Sequence, residues 1–92
     1  MTSTKGSVTD IKVRQDGAAD LAFVTLLEDG TGASEIFILW DAEIGTITPF
    51  SVWIARSLVV SLLKEAMASK LPVMLTHDDT SSIIRWVDLL SA

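Results

Sequence analysis

Residues 51–90 read SVWIARSLVVSLLKEAMASKLPVMLTHDDTSSIIRWVDLL: an apolar helix that ends at a proline and gives way to two short strands. Pro72 stops the helix, because a proline disfavours helical geometry in the residue before it. Upstream, Thr48 followed by Pro49 fits an N-cap with proline at the first helical position, so the helix is predicted over about 49–70. Its polar residues Ser57, Ser61, Lys64 and Glu65 recur at three- and four-residue spacing. They form one narrow stripe, widened sideways by Arg56. Phe50, Trp53, Ile54, Leu58, Val59, Leu62, Leu63, Ala66 and Met67 fill the rest, an apolar arc too wide for a helix covered on one side only. This helix is therefore expected to be covered on more than one side.

Before the helix come three β-rich runs. From Gly6, SVTDIKVR places apolar residues at Val8, Ile11 and Val13, and the phase shift between Val8 and Ile11 predicts a strand with a bulge or a strong bend. Asp16-Gly17 is a favoured hairpin pair. LAFVTLLE and EIFILWD flank DGTGAS and read as a hairpin. In the second run strict alternation puts Ile36, Ile38 and Trp40 on one face and Phe37 and Leu39 on the other. A strand apolar on both faces is usually covered on both, so the outer face of 36–40 is a candidate interface. VMLTH and SIIRWVDLL supply two more strands around the turn DDTS. The predicted order is β-β-β-α-β-β: one domain over 6–92, mainly β with one helix, preceded by a flexible segment 1–5. Five antiparallel strands with a helix between the third and fourth is the order of the OB-fold, a small, partly open Greek-key barrel.

Composition narrows function. Hydrophobic residues make up 49% of 92 residues, and the mean hydropathy is +0.45. A domain this small has little interior for so much apolar surface, which points to burial between subunits. Twelve acidic against seven basic side chains give a net charge of −5, and Lys5, Lys12, Arg14, Arg56, Lys64, Lys70 and Arg85 are scattered. A phosphate-binding surface needs a basic patch, so no nucleic-acid partner is expected. With no cysteine, thiolate catalysis, disulfides and thiolate metal sites are excluded. Arg56, Lys64 and Glu65 interrupt the helix, so no membrane insertion is expected. MTSTKGSVTD carries no apolar leader core, which gives a cytoplasmic expectation for the chain as it stands and a secreted one for a trimmed mature form.

The C-terminal half carries a family resemblance. The helix segment Leu58–Ser69, the break Lys70-Leu71-Pro72, the short strand Val73–Thr76, the polar turn His77–Thr80 and the closing strand Ile83–Leu90 resemble, in order and apolar pattern, the receptor-binding B-subunits of bacterial one-A-five-B toxins of the cholera, heat-labile and subtilase type. The resemblance implies an OB-fold barrel in a closed ring of five, a homo-oligomer in which neighbouring edge strands pair and the helices line the pore. It also implies a carbohydrate as candidate ligand and a catalytic A-chain as candidate partner. Secreted toxin subunits typically carry a disulfide, which this chain lacks. The alternative reading is therefore a cytoplasmic structural or interaction oligomer without glycan binding.

The candidate ligand residues are Trp40, Asp41 and Glu43 after the third strand, and His77 and Asp78 in the last turn. An aromatic face beside carboxylate acceptors suits sugar hydroxyls. By resemblance, His77 or Thr76 stands at the strand end where toxin subunits present an aromatic that packs on a sugar face, so that platform is reduced or absent here. The plainer reading of HDDT is a polar turn with aspartates bonding local amides. Ile36, Ile38, Trp53, Leu58 and Leu62 are the candidate oligomer interface. Nothing suggests an enzyme or a cofactor: DGTGAS lacks the lysine of a phosphate loop, and one histidine with two adjacent aspartates is too few ligands, too close together, for a metal.

Overall fold

The computed structural model describes residues 1–15, 20–42 and 49–90. Strands β1 (Thr2–Gln15), β2 (Asp20–Glu28) and β3 (Ser34–Ala42) precede helix α1 (Phe50–Ser69), and β4 (Val73–His77) and β5 (Ile84–Leu89) follow. The order is the one predicted. All five strands lie in one antiparallel sheet, in the order β3-β2-β1-β4-β5. The sheet is not closed by a continuous ladder. Its two outer strands meet at a single parallel bridge, Ile38 to Ile83, where the Ile38 N–H donates to the Ser82 carbonyl at 2.9 Å.

The long β1 serves both halves of the sheet. Thr2–Gly6 pairs with β4, and Gly6–Gln15 pairs with β2, with the expected bulge between Val8 and Asp10. Gly6 is the pivot that belongs to both ladders. A Cβ there would stand 2.3 Å from the Leu27 carbonyl oxygen, so no side chain fits without moving backbone. Residues 1–5 are expected to lie outside the domain; Thr2–Lys5 are instead strand, their backbone paired with β4, a partner that alternation alone does not reveal. At that same end of β2, Gly30 and Gly32 take positive φ in the DGTGAS turn, and the Asp29 N–H ties that turn to the Lys5 carbonyl at 3.0 Å.

One face of the sheet makes the core. Val8, Val24, Leu26, Phe37, Val73 and Leu75 pack with Leu63 and Ala66 of α1, each large apolar side chain contributing about 1.5–3 kcal/mol on burial. The helix therefore rests on the sheet by one stripe only. Its start differs from expectation by one residue: Pro49 is itself the N-cap, with extended ψ and no side-chain cap. Thr48 lies outside the described residues, as do the Asp16-Gly17 pair and Glu43. The helix ends on Lys70 in left-handed geometry (φ 55°), with the Lys70 and Leu71 N–H groups both directed at the Ala66 carbonyl. Among the described residues, no helix is long and apolar enough to cross a membrane.

One expectation for β3 fails for a physical reason. Ala22 pairs with Trp40 but Phe23 pairs with Ile38, so Leu39 is an extra residue, a bulge. A bulge shifts the alternation by one. Trp40 therefore leaves the outer face of Ile36 and Ile38 and joins the inner face, beside Ala22 and below α1.

Candidate functional site: the tryptophan and arginine cluster under α1

The Leu39 bulge builds a polar cluster in which a carboxylate, a guanidinium and two indoles meet. Asp20 pairs with Ala42 and Trp40 with Ala22, which makes Asp20 and Trp40 diagonal neighbours on one face. The indole Nε1–H of Trp40 donates to Asp20 Oδ1 at 2.9 Å, and Arg56 Nη1 donates to Asp20 Oδ2 at 3.3 Å. Asp20 and Arg56 are both largely shielded from solvent. The guanidinium carbon of Arg56 lies 4.9 Å from the Trp40 ring centre and 5.8 Å from that of Trp53. Trp53 and Arg56 are three residues apart on α1, hence on one face. A shielded cation thus has a carboxylate and two π faces, which offset its desolvation.

Two clefts open on either side of this cluster. One, of about 330 Å³, lies between Trp40, Trp53 and the Val13–Gln15 end of β1. The other, of about 410 Å³, lies between α1 and the facing ends of β3 and β5, with Leu39, Trp40, Val59 and Ile84 as its apolar floor and Arg56 and Arg85 at its rim.

The β4–β5 turn forms a second cluster. His77 Nδ1–H donates to the carbonyls of Asp78 at 2.8 Å and Ser81 at 2.9 Å. Its Nε2 lies 3.4 Å from the Thr4 hydroxyl, and its ring centre 5.2 Å from that of Phe37. The imidazole is thus taken up in holding its own turn. Asp78 receives Arg85 Nη2–H at 2.9 Å. Asp79 accepts from the Thr2 hydroxyl and lies 3.6 Å from the Met1 ammonium. The Thr2 hydrogen bond first, and then the ammonium charge, hold its carboxyl below the usual aspartate value.

Of the residues singled out in the sequence, Trp40 sits at the centre of the first cluster. Asp41 is exposed on β3 opposite Leu21. His77 and Asp78 form the separate turn cluster, and what joins the two groups is Arg85, which is bonded to Asp78 and lines the same cleft as Trp40. Among the described residues, no group of histidine, cysteine and acidic side chains could hold a metal ion. Of the candidate interface residues, Ile36 and Leu58 are exposed, while Ile38, Trp53 and Leu62 are half-buried. Sequence reasoning missed Asp20, Arg56 and Arg85. Arg56 reads in the sequence as the edge of a polar stripe; the available signal was a basic residue set among tryptophans.

No protein-family model matches the chain, no curated protein matches it, and no solved structure matches it.

Proposed function

We propose that this chain is a non-enzymatic, self-assembling module: an OB-fold barrel that joins further copies of itself in a closed ring, of five as in the toxin B-subunits it resembles. The observation that carries this reading is the outward side of α1. There Phe50, 79% exposed, Ile54, and Leu58, 65% exposed, follow at four-residue spacing and stand in one row on the side away from Leu63 and Ala66. A second apolar patch lies elsewhere, on the outer face of β3, where Ile36 is 63% exposed. Two unlike patches on one subunit suit head-to-tail contact, the arrangement that generates rings. The barrel part of the reading is supported by the strand order and by the parallel bridge from Ile38 to Ile83.

Between a glycan-binding ring and a structural one, the internal bonds of the Trp40 indole and the His77 ring favour the structural ring. Substituting one patch at a time tests the assembly. Leu58→Lys and Ile36→Lys should each lower the mass seen in sedimentation velocity while the circular dichroism spectrum stays that of the parent. If both variants sediment as the parent does, these faces are not the contacts and the reading fails.

A further inference from the structure

The ladder between β3 and β5 stops after the bridge from Ile38 to Ile83, and both strands are bulged beside it. On β3 the extra residue is Leu39. On β5 it is Arg85, because Thr76 pairs with Trp86 while His77 pairs with Ile84. Bulges end pairing and re-aim side chains, and they are over-represented beside functional sites. Here they open the cleft of about 410 Å³ under α1, a size within the usual range for small-molecule sites.

The lining of this cleft has a definite chemistry. Leu39, Val59 and Ile84 give it an apolar floor and Arg56 and Arg85 a cationic rim, with no carboxylate among the described lining residues. That charge runs against the sign of the whole chain, which is −5 and has only three arginines. Each guanidinium is held by a carboxylate that does not line the cleft: Arg56 by Asp20 at 3.3 Å, Arg85 by Asp78 at 2.9 Å. Each of those contacts runs through one nitrogen, and an arginine carries five N–H donors, so both forks keep donors for an anion. Arg56, shielded and held by Asp20, is preorganised, which lowers the entropy lost on binding, while Arg85 stands exposed and accessible to a ligand.

We propose that this cleft binds a small amphipathic carboxylate, with its acyl or aryl body on Leu39, Val59 and Ile84 and its carboxylate on the Arg56 and Arg85 rim. The proposal is independent of ring assembly, since one chain supplies every residue of the site.

The test is calorimetric titration of octanoate into the full chain, with octanamide as the uncharged isostere. Octanoate is expected to bind saturably, once per chain, and octanamide at least tenfold more weakly. Arg85→Ala, at an exposed position, should weaken octanoate roughly tenfold, the loss expected for a hydrogen bond to a charged group, and leave octanamide unchanged. Ala55→Trp, at an exposed cleft-lining position of α1, should abolish octanoate binding with circular dichroism unaltered. Equal affinity for octanoate and octanamide would overturn carboxylate recognition. Binding retained in Ala55→Trp would overturn the site. Absence of binding at millimolar octanoate would overturn the proposal whole, and none of these outcomes depends on the mass of the assembly.

Discussion

Arg56 lies over Trp40: the guanidinium carbon is 4.9 Å from the indole centre, and both side chains bond the same carboxylate, Asp20. This contact fastens the first half of α1 to the sheet, where Leu63 and Ala66, farther along the helix, cannot reach. Asp20→Ala removes the acceptor from both partners at once. It is predicted to destabilise the fold by about 1–3 kcal/mol, the usual cost of leaving shielded donors without partners. Asp20→Asn, which keeps an acceptor oxygen but not the charge, should fall between the two. Urea unfolding measures both; a parent-like midpoint for Asp20→Ala would mean that the cluster carries no stability.

The C-terminal end of α1 offers a prediction of opposite sign. Lys70 holds left-handed geometry at φ 55°, a conformation that a side chain makes unfavourable and glycine does not. Lys70→Gly is expected to stabilise the protein by about 0.5–1 kcal/mol, after allowing for loss of a cation near the helix C-terminus. That corresponds to a Tm increase of a few degrees in a domain of this size. A lower Tm would show that the lysine side chain does more at this position than its backbone strain costs.

Acid should act through Asp79. Its folded pKa lies below the ordinary 3.8, so the folded state takes up this proton less readily than the unfolded chain. The stabilisation is therefore present above about pH 4 and is lost as pH falls through the folded pKa. The carboxylate is exposed and the interaction is screened, so the stability change is small; the titration itself is the sharper readout. Carbon-detected NMR should place the Asp79 midpoint below 3.8 and show it returning toward that value in Thr2→Val. Identical titrations in the parent and Thr2→Val would refute the role of the Thr2 hydroxyl.

The element order was legible because each element carries its own signal: β-rich apolar runs for β2 and β3, a proline at each end of the helix, and glycines in the turn between the strands. The bulge in β1 was legible too, since Val8 and Ile11 fall out of phase. The Leu39 bulge was not. Residues 36–40 are apolar at every position and carry no phase, and only the partner strand shows that Phe23 pairs with Ile38 while Ala22 pairs with Trp40. The whole Asp20, Trp40 and Arg56 cluster depends on that one-residue shift, so no reading of β3 alone could have found it. Thr2–Lys5 were missed for a related reason: their place in β1 is set by pairing to β4, more than sixty residues away. The over-wide apolar arc of α1 was visible from the start, and the row of Phe50, Ile54 and Leu58 left open by the fold is the part of that arc that the sheet does not cover.

That row is where the account is most exposed to test. Light scattering on the native protein at micromolar concentration gives its mass directly. A mass near five times 9.9 kDa is the predicted result and would place the open face of α1 inside an assembly. A mass of 9.9 kDa, unchanged on concentration, would contradict the account, leaving Phe50, Ile54 and Leu58 in water and the ring without a basis.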